Sequence, residues 1–325
     1  MIKAILLFVL GLILLIKGGD WFVDGATAIA KKFKIPDLLI GATVVSIGTT
    51  LPEVMVSASA AIAGQGAIAY GNALGSIICN TALVAALTIA VKPGLVEKKA
   101  LKTPVAFFFG AAIIYAFAAY VLGFFERWIG IVLLIVFCIY IFLLVREAIS
   151  GNKSENAAEE AEEDKKEHPM WFNIGLLIVG AALITVGANL LVDNGTIIAT
   201  ELGVPQTVIA LTFVALGTSL PELVTAITAL AKGHGALSLG NVIGANLFNL
   251  VLVSGVSVSL NPFKVPSEKL VAGMNASLLI DIPLVFAVMM ILTIPALIKG
   301  KLSRWQGVLL LALYFSYCIF QFVPM

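Results

Sequence analysis

Gly48-Thr49-Thr50-Leu51-Pro52-Glu53 and Gly217-Thr218-Ser219-Leu220-Pro221-Glu222 each place a glutamate near the middle of an otherwise apolar run. A carboxylate at bilayer depth costs about 2.5–3.5 kcal/mol even on a lenient insertion scale. Two of them, with neighbouring hydroxyls and backbone carbonyls, form the oxygen-rich cage that hard cations prefer. One calcium ion, or about two to three sodium ions, would neutralise the pair. That competition is a physical reason for exchange, because one load must leave before the other is accommodated. Pro52 and Pro221 each follow a glycine by four residues. A helical proline removes a donor and crowds the carbonyl one turn back. Each helix is therefore expected to break at the motif and turn free carbonyls inward, which lipid tolerates only where the backbone lines a protein cavity.

A second matched pair accompanies the first. Gly71 to Asn80 aligns with Gly240 to Asn249. Asn72, Ser76 and Asn80 are spaced by four and share one helical face, as do Asn241, Ala245 and Asn249. Gly71 with Gly75, and Gly240 with Gly244, are small-xxx-small pairs that let helices approach closely. A lone membrane asparagine is ordinarily a packing residue. A stripe repeated opposite the glutamate-bearing spans reads as a lining for ions.

These motifs sit in an internal repeat. Shifted by 169 residues, Ile40–Val84 falls on Ile209–Val253 without a gap, with 18 of 45 positions identical. Val23-Asp24 then meets Val192-Asp193, and Pro36 meets Pro205. The 325 residues are 60% hydrophobic and 12% charged, against about 25% charged in soluble domains. The periodic apolar runs predict an all-α integral membrane protein of ten transmembrane helices, near 4–23, 38–62, 71–91, 104–123, 128–146, 171–191, 206–230, 240–260, 282–298 and 305–323. Residues 1–149 and 171–325 then each hold five spans, and 150–170 form a polar linker. Five is odd, so the second copy enters the membrane from the opposite side, giving two inverted five-helix repeats of the kind secondary transporters use.

Orientation follows the basic residues. With the N-terminus outside, fifteen Lys and Arg residues, including Lys92, Lys98, Lys232, Lys301 and Arg304, are cytoplasmic; four (Lys3, Arg127, Lys264 and Lys269) are outside. The expectation is a multi-pass protein of the cell membrane with both termini extracellular and the linker cytoplasmic. That linker, rich in Glu and Lys, reads as a solvated connector. Cys79, Cys138 and Cys318 lie in apolar runs without CxxC spacing and read as free thiols. No cleavable leader is expected, since no small-residue cleavage site lies between Lys3 and Lys17. There is no GxxxxGK[ST] loop for ATP. Net charge is +1, which gives no reason to expect nucleic acid. Asp24 and Asp193 read as helix-end contacts, Asp281 as the start of span nine, and His168 and His234 as residues without a metal partner.

At the paired GT[TS]LPE and GNxxG[SA] motifs the sequence resembles the cation/calcium exchanger superfamily, in particular the compact prokaryotic sodium/calcium exchangers. The resemblance covers essentially the whole chain. It implies that Glu53 and Glu222 ligate calcium with the carbonyls of Thr49 and Thr218. It implies an outer sodium site of Ser76, Ser219 and the Ala215 carbonyl, and an inner one of Thr50, the Ser46 carbonyl and the position of Ala245. Asn80 and Asn249 would line the centre, with Asn72 and Asn241 as further lining positions. Spans one and six would slide to alternate access. Ala245 lacks the hydroxyl expected opposite Ser76, so the inner sodium site is weakened or differently built. Asn249 stands where potassium-dependent relatives carry Asp, which implies potassium independence. The GNxxE pattern of proton-coupled relatives is absent, since Gly75 and Gly244 occupy its last position. The expected activity is electrogenic calcium/sodium antiport without a cofactor or an obligatory protein partner; a proton-coupled or other divalent-cation antiporter is the alternative. An intramembrane enzyme would need a nucleophile or metal-bound water beside the glutamates, and a channel would need a continuous pore.

Overall fold

In hydrocarbon every backbone N–H and C=O must be paired within the chain, so apolar runs of this length become helices. A computed structural model describes residues 2–33, 35–150, 169–202, 217, 219–267, 270–271 and 273–322. Its helices are α1 (Ile2–Phe33), α2 (Asp37–Ile62), α3 (Gly66–Val91), α4 (Lys98–Leu122), α5 (Arg127–Ser150), α6 (Met170–Glu201), α7 (Leu220–Ala231), α8 (Gly235–Leu260), α9 (Ser277–Lys299) and α10 (Arg304–Phe322). Among the described residues, α1 to α6, α8 and α9 are long and apolar enough to cross a membrane. α7 is a 12-residue apolar helix, and α10 has 19 residues. The linker residues 151–168 and residues 203–216, which include the first part of the expected seventh span, lie outside the described residues.

Burial separates centre from rim. Of each membrane-crossing stretch, 83% is buried for α8 and 72% for α3, against 28% for α1 and 22% for α6. α1 and α6 pack on each other through backbone. A Cβ at Gly11 would meet the Gly187 carbonyl at 2.9 Å, one at Gly18 the Gly180 carbonyl at 2.9 Å, and one at Gly25 the Asn173 carbonyl at 2.7 Å. Partner numbers fall as α1 numbers rise, so the two helices are antiparallel. A shift of 169 residues carries Gly11 to Gly180 and Gly18 to Gly187, so the first two contacts are images of each other.

The other contacts also come in pairs. At one end of α4, β1 (Phe124–Phe125) pairs antiparallel with β2 (Phe263–Lys264), and Val265 N–H donates to the Gly123 carbonyl at 3.3 Å. At its other end Leu95 bridges Lys301, and Val96 N–H donates to the Gly300 carbonyl at 2.9 Å. Gly123 and Gly300 end their helices in the left-handed region, at φ 65° and 66°, where a side chain would be strained. Gly130 packs on Gly255 and Ser259, as Gly307 packs on Ala86 and Ala90.

Three differences from expectation have physical causes. α2 does not break at Pro52: Ser46–Ile62 is continuous α-helix, and the irregularity is a π-helical turn upstream at Gly41–Val45. Pro52 takes the donor from one carbonyl, that of Gly48, and the helix continues across that single loss; in the π-helical turn upstream, Ser46 Oγ donates to the Gly41 carbonyl at 2.7 Å. α1 runs ten residues beyond the expected span and α6 likewise ten. On α1 two of the polar residues are accommodated by ion pairing; Lys232 Nζ lies 2.8 Å from Asp24 and 3.5 Å from Asp20. Helix α9 begins at Ser277 with a π-helical turn that ends on Asp281, rather than at Asp281 itself.

Candidate functional site

The two GT[TS]LPE motifs enter helices differently. Glu53 lies inside α2, whereas Ser219 caps α7 and Glu222 falls in its first turn, where a negative charge meets the positive end of the helix dipole. Both glutamates are 0% exposed, and their four carboxylate oxygens have no hydrogen-bond partner among the described residues. The carboxyl groups lie within Coulombic reach of each other, and Thr49 lies beside Glu222. Leaving two like charges uncompensated in a dry interior costs several kcal/mol per ion, so the pair needs a neutralising partner, a proton or a bound cation.

Neutral polar groups are gathered in the same buried interior. Thr50 Oγ1, Ser219 Oγ and both amide atoms of Asn80 and Asn249 are buried without partners among the described residues. Asn80 and Asn249 each open a π-helical turn, Asn80–Ala85 and Asn249–Val253, in α3 and α8. Such turns interrupt helix pairing and recur at functional sites. Ser76 and Ala245 are buried on the same two helices. Thr218 and Ala215 lie outside the described residues.

Asn72 and Asn241 tie their helices to α2 from two sides. Asn72 Nδ2 donates to the Glu53 carbonyl at 3.2 Å and to Ser57 Oγ at 2.8 Å. Asn241 accepts at its side-chain oxygen from Thr49 at 3.3 Å, and Ser46 Oγ lies 3.4 Å from that oxygen and 2.9 Å from the Asn241 backbone carbonyl, within reach of its one hydroxyl hydrogen. Close approach makes this possible: a Cβ at Gly240 would collide with the Leu38 carbonyl, and one at Gly244 with Ser46 Oγ.

Two polar features escaped sequence reasoning. Thr225, one turn beyond Glu222, is fully buried with an unpartnered hydroxyl; its i+3 spacing from the glutamate was the available signal. Asn246 donates to Thr81 Oγ1 at 2.6 Å and to Met289 Sδ at 3.2 Å. Ile77 and Leu250 occupy the repeat-matched positions of Asn246 and Thr81, and matching alone gave no reason to single out the pair. His234, at the N-cap of α8, pairs through Nδ1 with Asp37 at 2.8 Å. No group of three or more His, Cys, Asp or Glu placed to hold a metal ion occurs among the described residues.

Known proteins resemble this chain over nearly its whole length. An uncharacterized membrane protein of Methanocaldococcus jannaschii is 38% identical over 309 residues, covering 94% of both chains. The sodium/calcium exchanger MaX1 of Methanosarcina acetivorans is 32% identical, covering 98% of both. Among solved structures, the sodium-calcium exchanger NCX_Mj soaked with 2.5 mM Na+ and 10 mM Sr2+ superposes with a TM-score of 0.80 at 35% identity, covering 97% of each chain. The family model described as sodium/calcium exchanger protein matches residues 3–146 and 172–323. A helical membrane protein with paired buried glutamates, matched over nearly its whole length, the chain belongs to the sodium/calcium exchanger family and is a multi-pass cation exchanger, in a family of exchangers rather than enzymes.

Proposed function

We propose that this exchanger moves calcium against sodium by alternating access at one occluded site, electrogenically and without potassium. The observation that carries the reading is the burial of Glu53 and Glu222 with all four carboxylate oxygens unpartnered among the described residues. Glu53 and Glu222 are the charged ligands; Ser219, Thr50, Ser76, Asn80 and Asn249 supply neutral ones, with backbone oxygens at Ser46, Thr49, Thr218 and Ala215. An empty site leaves two buried charges uncompensated, so the carrier crosses loaded rather than bare. This couples the two cations. Calcium balances the pair; more than two sodium ions per calcium would move net charge, worth about 2.3 kcal/mol per charge at 100 mV.

Ten spans in two inverted repeats are the architecture we infer, with the termini outside and the 150–170 linker inside. The image-related contacts of α1 with α6, and the matched bridges at opposite ends of α4, support it. The peripheral α1–α6 pair is the moving part. In each half it touches the motif glycine, since a Cβ at Gly48 would meet Phe22 at 2.9 Å and one at Gly217 would meet Val192 at 2.7 Å. Calcium-45 uptake into proteoliposomes under an imposed sodium gradient tests the reading. Uptake should follow the gradient, respond to membrane potential and ignore potassium. Uptake that persists unchanged without sodium would point to a proton-coupled or other divalent-cation antiporter.

A further inference from the structure

The matched ends of the bundle are packed differently, and the difference leaves a void. The 169-residue register continues past the motifs, setting Lys92-Pro93-Gly94 against Asn261-Pro262-Phe263. At the β1–β2 end, the Phe263 ring fills the space over Gly66, where any added Cβ would collide with it. That ring belongs to an aromatic plug: Phe125 lies 5.4 Å from Phe263, 4.6 Å from Tyr115 and 6.1 Å from Tyr70 between centroids. At the opposite end the matched residues are Gly94 for Phe263, Gly235 for Gly66 and Leu239 for Tyr70, while Leu302 takes the place of Phe125 beside the Leu95–Lys301 bridge. The plug is gone. A Cβ at Gly94 would touch nothing within 4 Å, and at Gly235 the nearest atom is Leu230 Cδ1 at 3.9 Å. A cavity of about 250 Å³ results.

Its lining is not merely apolar. Ser238 is 2% exposed, lines the cavity, and its hydroxyl has no partner among the described residues. Gly235 and Ala236, the first residues of α8, also line it and bring the positive end of that helix. Lys92 stands at the wall without an ion pair among the described residues. Its counterpart Asn261 donates instead to the Ala61 carbonyl at 2.9 Å. Of the flanking carboxylates, Asp37 is engaged by His234 at 2.8 Å, and Glu97 is followed by Lys98 and Lys99. One unpaired ammonium, one hydroxyl donor and one helix N-terminus suit a single negative charge.

We propose that this cavity binds a small amphipathic carboxylate, its apolar body taking the place that the Phe263 ring fills at the other end. The acid group would meet Lys92, Ser238 and the α8 N-terminus. A free aromatic acid and a membrane fatty acid share this chemistry.

The test uses the full chain in detergent, titrated with 3-phenylpropionate and followed by melting temperature; nanodiscs with and without oleate form a second arm. Saturable stabilisation by 3-phenylpropionate is expected, with none from acetate or benzyl alcohol at the same concentration. Stabilisation by oleate alone would assign the site to the lipid source. Gly94→Phe, which restores the missing ring, should remain folded, keep calcium uptake and lose the response. Ser238→Ala and Lys92→Gln should each weaken apparent affinity about tenfold, as expected for a hydrogen bond to a charged group. A Gly94→Phe or Ser238→Ala protein that responds like the wild type, or no response to either acid, would overturn the proposal.

Discussion

Asn72 and Asn80 lie on the same helix, yet their amides are used differently. Asn72 makes two hydrogen bonds to α2, and Asn80 makes none among the described residues. A buried hydrogen bond contributes about 1 kcal/mol net, whereas deleting an unpartnered polar group costs no bond. Asn72→Ala should therefore lower the melting temperature, while Asn80→Leu should leave it unchanged or raise it and still cut calcium uptake by about tenfold or more. Thermal denaturation paired with flux separates the two; matching effects would mean the amides are not distinguished as drawn. Ala245 gives a gain-of-function counterpart. It is fully buried at the position matched to Ser76, so on the proposed site Ala245→Ser would add a hydroxyl where the second half has none. Half-maximal sodium for driving calcium uptake should fall in that variant.

α1 and α6 meet the motif glycines with bulky side chains and meet each other through bare backbone. Gly48→Val and Gly217→Val should wedge these helices against α2 and the turn before α7. Calcium binding at equilibrium should persist while turnover drops, a split that isothermal titration and flux assays would show. Much of the helical layout was legible because hydrophobic runs and the ungapped repeat reach through Val84 and Val253. The roles of Asn72 and Asn241 were not, because spacing by four places a side chain on a face without saying what it bonds. Pro52 misled for a similar reason. A proline announces a lost donor, but whether the helix breaks depends on what holds it, and Asn72 and Asn241, which bond α2 on either side of Pro52, come from elsewhere in the chain. The matched bridges around Leu95 and Phe124 escaped notice because Arg127-Trp128 and Arg304-Trp305 align only at a shift of 177.

Across the whole molecule, burial is concentrated in α3 and α8, and the glutamate-bearing α2 and α7 lie against them. On the proposed mechanism, this heavily buried centre would hold the charge while the lightly buried pair of helices at the rim moves. The central claim is that Glu53 and Glu222 hold the transported cation together. Sodium-gradient-driven calcium-45 flux in proteoliposomes of Glu53→Gln and Glu222→Gln tests it most directly, with melting temperature as the control for folding. Each variant should fold and lose exchange, since one remaining carboxylate cannot balance calcium. Wild-type flux in both would contradict the account.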